Sequence, residues 1–131
     1  MKLKILTILK CFMVFYGVSI VDESDRLYGF TEDAEYIEVV GTEVRNCDDV
    51  SIGMVTYEIL AGYYAVFEHK GKAEDMLDTY KYIIGTWAYN TDYEINGGYS
   101  FERYGEDYYG SEDAMSIARI YIPIKNPKTE I

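Results

Sequence analysis

Cysteine and histidine, two residues that commonly carry catalytic or metal chemistry, are scarce in this sequence. Its 131 residues include two cysteines, Cys11 and Cys47, and one histidine, His69. Two cysteines are too few for a disulfide framework, and we interpret both as reduced structural thiols. No Gly-x-Ser-x-Gly segment and no cysteine–histidine cluster supplies a nucleophile–histidine–acid arrangement. Neither cysteine lies at metal-ligand spacing from His69, so we expect no metal and no cofactor.

Basic residues are few beside acidic ones. The sequence has 12 lysines and arginines against 23 aspartates and glutamates, which gives a formal net charge of -11. Duplex DNA and anionic membrane surfaces would repel such a protein at long range, whereas cationic partners would be attracted. We therefore expect no direct nucleic-acid binding and no membrane binding.

No uninterrupted hydrophobic run is long enough to cross a bilayer. Residues 1–21 begin with lysines and become apolar, which raises the question of a secretory signal peptide. Lys10 interrupts the run, no small-residue cleavage site follows, and the apolar part is shorter than the roughly 20 residues that a membrane span needs. The expected location is the cytoplasm.

Hydrophobic and aromatic side chains, in contrast, are abundant. Hydrophobic residues make up 49% of the chain, and 15 residues are tyrosine. A chain of this length fits one domain with a hydrophobic core. Tyrosine combines an apolar ring with a hydroxyl that forms hydrogen bonds, so it suits both sheet surfaces and a wet binding pocket.

Alternating hydrophobicity and turn signals predict about five strands. They span residues 12–20, 35–44, 54–60 resuming at 63–69, 99–104 and 116–124. Within 99–104, alternation places Ser100, Glu102 and Tyr104 on one side of the strand and Phe101 with Arg103 on the other. His69, at the end of its strand, is expected to be solvated.

One helix is predicted after Gly71, where the hydrophobic period changes from two to that of a helix. Seven residues spaced three and four apart form one stripe along it: Ala73, Met76, Leu77, Tyr80, Ile83, Ile84 and Trp87. We expect this stripe to pack in the core, with Trp87 at its end available to a site. The elements predict an α+β fold, a mostly antiparallel sheet with the helix across one face and a cleft on the free face.

The order of four segments resembles one protein family. They are the run 59–71, the helix end Gly85-Thr86-Trp87, the element Phe101-Glu102-Arg103-Tyr104 and the C-terminal run 120–125. Together they resemble the GyrI-like small-molecule-binding domain, also called the AraC effector-binding or multidrug-regulator ligand domain. The resemblance covers residues 54–125 well. It covers residues 14–45 loosely, through Tyr16-Gly17-Val18 and the run 40–44.

The resemblance implies two strand-helix-strand-strand modules around a central pocket. One domain would then span residues 1–125, with a shortened first module (1–53), a complete second module (54–125) and a tail (126–131). Members of the family carry a strand and a long helix before the Tyr-Gly-Val strand, and residues 1–13 leave no room for both. Either residues 1–10 form a shortened substitute, or a second copy of the chain covers the gap, or the pocket stays open.

The resemblance also implies a site. A buried glutamate of the family, which matches Glu102, meets cationic or aromatic ligands. A carboxylate removed from water is costly unless it is compensated, so it favours ligands that bring positive charge. Aromatic walls would add cation–π attraction of about 0.5–2 kcal/mol each, and the candidates are Trp87, Tyr104, Tyr64 and Tyr16.

Three functions follow from these features. The first is a stand-alone binding module for small hydrophobic, cationic compounds. The second is an interaction protein that resembles gyrase inhibitors and uses its acidic surface, with a homodimer or a regulatory protein as alternative partners. The third is a small-molecule hydrolase in which Glu102 and Tyr104 act as acid and base. No helix-turn-helix segment is visible in the sequence, so a complete one-component transcription regulator is not expected.

Overall fold

A single mixed sheet with one packed helical segment makes up the described part of the chain. The computed structural model describes residues 2–5, 14–21, 36–43, 52–54, 56–96 and 99–126. The strands are β1 (Lys2–Ile5), β2 (Phe15–Val21), β3 (Tyr36–Gly41), β4 (Tyr63–Lys70), β5 (Tyr99–Tyr104) and β6 (Ile117–Ile124). Their order is β1-β3-β2-β5-β6-β4, and every pair is antiparallel except β1 with β3. The predicted α+β fold with a mostly antiparallel sheet is confirmed.

The two halves of the sheet have matching strand orders. Strands β2 and β5 meet in the middle, β3 and β6 flank them, and β1 and β4 form the edges. The edge strands differ in direction, because β4 is antiparallel to β6 whereas β1 is parallel to β3. A crossover that returns in the same direction needs a dozen or more residues. Residues 71–98 give β4 that length, but only residues 6–14 join β1 to β2.

One helical segment, residues 73–90, lies between β4 and β5, and we call it α1. Gly71 precedes it with φ of 141°, a conformation that favours glycine, so the chain turns sharply out of β4. The segment begins with a 3₁₀ turn (Ala73–Asp75), continues as α-helix (Met76–Tyr82), widens to a π-turn (Ile83–Trp87) and ends as α-helix (Ala88–Asn90). The helix predicted from the hydrophobic period is therefore confirmed.

The core lies between α1 and the β4–β6 half of the sheet. Ile83, Ile120 and Ile122 are buried at its centre, and Phe67, Met76, Tyr80, Ile84 and Trp87 pack against them. The predicted stripe of seven was too wide, because Ala73 is exposed and Leu77 is 54% exposed. Ala73 belongs to the 3₁₀ turn, and Leu77 lies about 100° around the helix from Met76, away from the sheet.

The strand predicted over residues 54–60 is wrong. Residues 54 and 56–60 are irregular, and β4 begins only at Tyr63. Tyr63 is paired with Ile124, the last residue of β6, so within the described ranges the residues before Tyr63 have no neighbouring strand to pair with. Strand pairing, which alternation alone does not reveal, therefore decides where β4 begins.

His69 is buried rather than solvated, which corrects the prediction for this residue. Its side chain is on the helix-facing side of β4 and only 5% exposed. Nε2 donates a hydrogen bond to the Lys72 carbonyl (2.9 Å), and Nδ1 lies 2.7 Å from the Thr79 hydroxyl. The Nε2 donor leaves Nδ1 of the neutral ring as an acceptor. The ring therefore joins β4 to α1.

Several predictions fall on residues that the structure does not describe. These are Cys11, Cys47, the ends of the predicted strands at residues 12–13, 35 and 44, and the tail 127–131. Over the described ranges, no helix has the length and hydropathy that a membrane crossing requires.

Candidate functional site

Glu102 lies near the middle of the sheet, on the face that α1 covers. In β5 it is paired with Ile120 of β6 on one side and with Gly17 of β2 on the other. Only 6% of the surface of Glu102 is exposed to solvent. The buried carboxylate that the family resemblance implied at this position is therefore found in the structure.

Two tyrosine hydroxyls contact the carboxylate. Tyr80 of α1 donates a hydrogen bond to Oε1 (2.6 Å), and Tyr104 of β5 donates a longer one to Oε2 (3.3 Å). The pKa of Tyr80 is raised well above its usual 10.0, first by burial, then by the charge of Glu102 and the hydrogen bond to it. The Ser100 hydroxyl acts in the opposite direction on the same pKa. Tyr80 therefore remains protonated and keeps its role as donor.

Ser100 belongs to the same face of β5 as Glu102. It is 3% exposed, and its Oγ makes no hydrogen bond within the described ranges. The Ser100 hydroxyl lies close enough to Tyr80 to lower its pKa, as a hydrogen-bond donor does, but the contact falls short of hydrogen-bond geometry. A buried hydroxyl without a partner is uncommon in folded proteins, so Ser100 stands out in this site.

Neighbouring rings fix the position of Tyr104. Its ring stacks on Phe15 of β2 with centroids 4.5 Å apart and planes 11° apart. Tyr108 contacts both rings edge-on, at 4.7 Å from Tyr104 and 5.6 Å from Phe15. These contacts limit the freedom of the Tyr104 ring and hold its hydroxyl near Glu102.

Trp87 is on the same face but is part of the core. Its ring packs edge-on against Phe67 at 4.9 Å and is partly buried. Phe67, Ile120 and Glu102 are successive neighbours across β4, β6 and β5. The residue that Trp87 contacts is therefore two strands away from Glu102, which makes Trp87 a nearby reporter of changes in the site.

Tyr16 and Tyr64 are on the opposite face of the sheet. Tyr16 lies 6.2 Å from Phe101, and Tyr64 lies 5.3 Å from it, between ring centroids. The Tyr64 hydroxyl also lies 2.6 Å from that of Tyr99. Because Phe101 and Glu102 are consecutive in β5, their side chains point to opposite faces. Of the five predicted site residues, the structure brings together Glu102 and Tyr104, with Trp87 on their face, and separates Tyr16 and Tyr64 from them.

Sequence reasoning missed three participants. Tyr80 was assigned to the core stripe, but a tyrosine on a buried stripe needs a partner for its hydroxyl, and that requirement was the available signal. Ser100 was placed on the correct side of β5 without being assigned to the site. Phe15 gave no local signal, because its contact with Tyr104 depends on the pairing of β2 with β5.

The described ranges contain no group of three or more histidine, cysteine, aspartate or glutamate side chains that could hold a metal ion. The chemistry that these ranges offer at Glu102 is that of a carboxylate, hydroxyls and aromatic rings.

Comparison with known proteins identifies the family. Residues 14–125, which include β2 to β6 and α1, match the family model described as the GyrI-like small molecule binding domain. The chain is also 34% identical over 92 residues to the transcriptional regulator BrlR of Pseudomonas aeruginosa. That alignment covers 70% of this chain and 34% of BrlR, so the match extends over about a third of the relative's length. The chain therefore belongs to the GyrI-like small-molecule-binding domain family.

Proposed function

We propose that this domain binds small, hydrophobic, cationic organic molecules on the helix-bearing face of the sheet, with Glu102 selecting for positive charge. Membership of the family supports small-molecule binding. The observation that carries the finer proposal is the carboxylate of Glu102, buried at the centre of the sheet and contacted by two tyrosine hydroxyls.

The preference for a cation follows from the energetics of this carboxylate. Removing a carboxylate from water costs several kcal/mol. The hydrogen bonds from Tyr80 and Tyr104 offset part of that cost, since a good bond to a charged group contributes about 1.5–3 kcal/mol. A cation about 4 Å from Glu102 would add roughly 4 kcal/mol of attraction at an effective dielectric constant near 20. A neutral ligand of the same shape lacks this contribution.

The proposed ligand lies beside α1, above β2 and β5. Gly17 of β2 is directly opposite Glu102 and has no side chain to occupy that position. In the next row of the sheet, Phe15 is opposite Tyr104, and their stacked rings form an aromatic wall next to the carboxylate. Such rings attract cations through their faces. In this arrangement Tyr16 and Tyr64 do not contact the ligand, because they belong to the other face.

The similarity to a transcriptional regulator supports a sensing role for the bound state. We propose that the domain acts in the cytoplasm, either as the ligand sensor of a regulatory assembly or as a module that sequesters its ligand. The formal charge of -11 favours cationic ligands over anionic ones in both roles.

The contact between Tyr104 and Glu102 favours a second function, hydrolysis of a reactive small molecule. The hydroxyl and the carboxylate lie 3.3 Å apart, so a group that can act as an acid and one that can act as a base are adjacent in the site. Conversion of a bound compound, followed by mass spectrometry of the product, distinguishes this function from binding alone. Hydrolysis is supported if the wild type forms the product and if Glu102→Gln and Tyr104→Phe both fail to form it.

A titration with two molecules of matched shape tests the binding proposal. N-Methylbenzylammonium is a cation, and propylbenzene is its neutral carbon analogue. Backbone amide NMR shifts, together with Trp87 fluorescence, report binding even at millimolar affinity. We expect the cation to bind at least about tenfold more tightly than the neutral analogue, and Glu102→Gln to remove that difference.

The matched control is Glu106→Gln, which makes the same charge change at an exposed position. It should leave the preference for the cation intact. Equal binding of the two molecules by the wild type, or unchanged selectivity in Glu102→Gln with an unchanged melting temperature, would contradict the proposal.

A further inference from the structure

The structure points to a ligand whose cationic group carries at least two N–H bonds, as a primary or secondary ammonium does, because Ser100 supplies a second acceptor beside Glu102. We propose Ser100 as a specificity-determining residue for that class of amine. This inference rests on the proposed function, since it concerns the same site, and it adds the chemistry of the cation's head group.

The Ser100 hydroxyl is buried at an energetic cost. It is 3% exposed and has no hydrogen-bond partner in the part of the chain that the structure describes. An unsatisfied buried polar group costs about 1–3 kcal/mol, and folded proteins contain few of them. Alanine would fill nearly the same space without that cost. A hydroxyl here is therefore explained by a partner that arrives with the ligand.

Tyr80 has no proton to offer Ser100. A phenol has one proton to donate. Tyr80 gives this proton to Oε1 of Glu102 at 2.6 Å. It therefore has none left for Ser100, and the contact that lowers the Tyr80 pKa uses the Ser100 proton. In either case the lone pairs of the Ser100 oxygen stay available to an N–H group.

One ammonium group can reach both Ser100 and Glu102. Ser100 and Glu102 are two positions apart in β5, so their side chains share a face and stand roughly 6.5–7 Å apart at the backbone. An ammonium nitrogen that lies about 3 Å from each acceptor spans this separation. Bonding to both acceptors takes two N–H groups, which a tertiary ammonium lacks, and a quaternary ammonium has none.

A series of four cations separates this inference from simple charge selection. The probes are benzylammonium and its N-methyl, N,N-dimethyl and N,N,N-trimethyl derivatives, all with the same charge. Each added methyl removes one N–H bond and adds apolar surface, so hydrophobic burial alone predicts tighter binding along the series. The inference predicts the opposite trend, with the trimethyl compound at least about tenfold weaker than the monomethyl compound.

Ser100→Ala should remove this trend, so that the trimethyl compound binds as tightly as the monomethyl compound or more tightly. The control is Ser111→Ala at an exposed position, which should keep the wild-type trend. The melting temperature of ligand-free Ser100→Ala should equal or exceed that of the wild type. A clear fall would show that the hydroxyl already has a partner, and that result would overturn the inference.

The outcomes distinguish the two proposals. If the trimethyl and monomethyl compounds bind the wild type equally, and Glu102→Gln weakens both, charge selection holds and the role of Ser100 is overturned. If propylbenzene binds as tightly as the cations, the proposed function itself fails, and the inference fails with it.

Discussion

The Tyr80 hydroxyl donates a 2.6 Å hydrogen bond to Oε1 of Glu102 and thereby joins α1 to a central strand of the sheet. Tyr80 also packs against the core formed by Ile83, Ile120 and Ile122. The ring of Tyr80 therefore makes apolar contacts in the core, and its hydroxyl makes the polar contact with Glu102. The stability of the fold and the position of the candidate ligand group depend on the same residue.

Tyr80→Phe removes the donor and keeps the ring. The carboxylate of Glu102 loses a strong hydrogen bond, so we expect the free energy of unfolding to fall by about 1.5–3 kcal/mol. Urea denaturation followed by circular dichroism measures this change. Tyr82→Phe is the control, because Tyr82 belongs to the same helix and is 54% exposed. A loss of equal size in the control would contradict the assigned role of the hydrogen bond.

The helix offers a direct test of which predicted stripe residues form the core. Ile83 is fully buried, whereas Leu77, six positions earlier, is 54% exposed. We expect Ile83→Ala to destabilise the protein by about 2–5 kcal/mol, and Leu77→Ala by less than about 1 kcal/mol, as is usual for surface positions. Thermal and urea unfolding measure both. Comparable losses would mean that the stripe is as wide as the sequence period suggested.

The features that the sequence predicted correctly depend on neighbours along the chain. The change of period after Gly71 identified α1, and alternation over Tyr99–Tyr104 put Ser100 and Glu102 on one face. Both patterns come from the geometry of a single element. Segment order and motifs then identified the family, and with it Glu102 as the residue of interest.

The features that the sequence did not predict depend on which strands pair. Residues 54–60 have the composition of a strand, but β6 ends opposite Tyr63 and gives them no partner. Tyr16 and Tyr64 are aromatic residues on strands of the same sheet as Glu102, yet the strand register places them on the far face. The burial of His69 similarly depends on where α1 crosses β4, which no local pattern contains.

Thr79→Val should weaken the link between α1 and β4. The Thr79 hydroxyl is the partner of His69 Nδ1, and the imidazole is buried, so we expect a loss of about 1 kcal/mol in the free energy of unfolding. Thr86→Val, at an exposed position of the same helix, is the control and should have a smaller effect. Nitrogen NMR of the imidazole should show the proton on Nε2. A proton found on Nδ1 alone would be inconsistent with the Lys72 carbonyl as acceptor.

Asp107 should contribute to the dependence of stability on pH. Arg119 binds both of its carboxylate oxygens, at 2.9 and 2.6 Å, and this hydrogen bonding holds the pKa of Asp107 below its usual 3.8. A carboxyl whose pKa is lower in the folded state stabilises the protein above its unfolded pKa. That stabilisation is lost as the pH falls below 3.8 and through the folded-state pKa.

We therefore expect Asp107→Asn to lower the stability at neutral pH and to flatten its decline on acidification between about pH 5 and pH 2. Asp92→Asn makes the same charge change at an exposed position and should keep the wild-type decline. Urea midpoints across this pH range measure the effect. Parallel pH profiles for the wild type and Asp107→Asn would rule out a stabilising pair with Arg119.

We expect a substitution at Gly17 to weaken ligand binding without lowering the stability of the fold. It is buried in β2, directly opposite Glu102, where it presents no side chain toward the proposed ligand. Glycine within a strand is unfavourable, so Gly17→Ala should preserve or raise the melting temperature where the added methyl is accommodated. The same methyl would stand next to the carboxylate and exclude the cation's head group. We therefore expect N-methylbenzylammonium to bind at least about tenfold more weakly.

Gly62→Ala, where an added methyl meets no atom within 4 Å, should leave binding unchanged. Full affinity in a stably folded Gly17→Ala variant would place the ligand away from the row of Glu102 and Gly17.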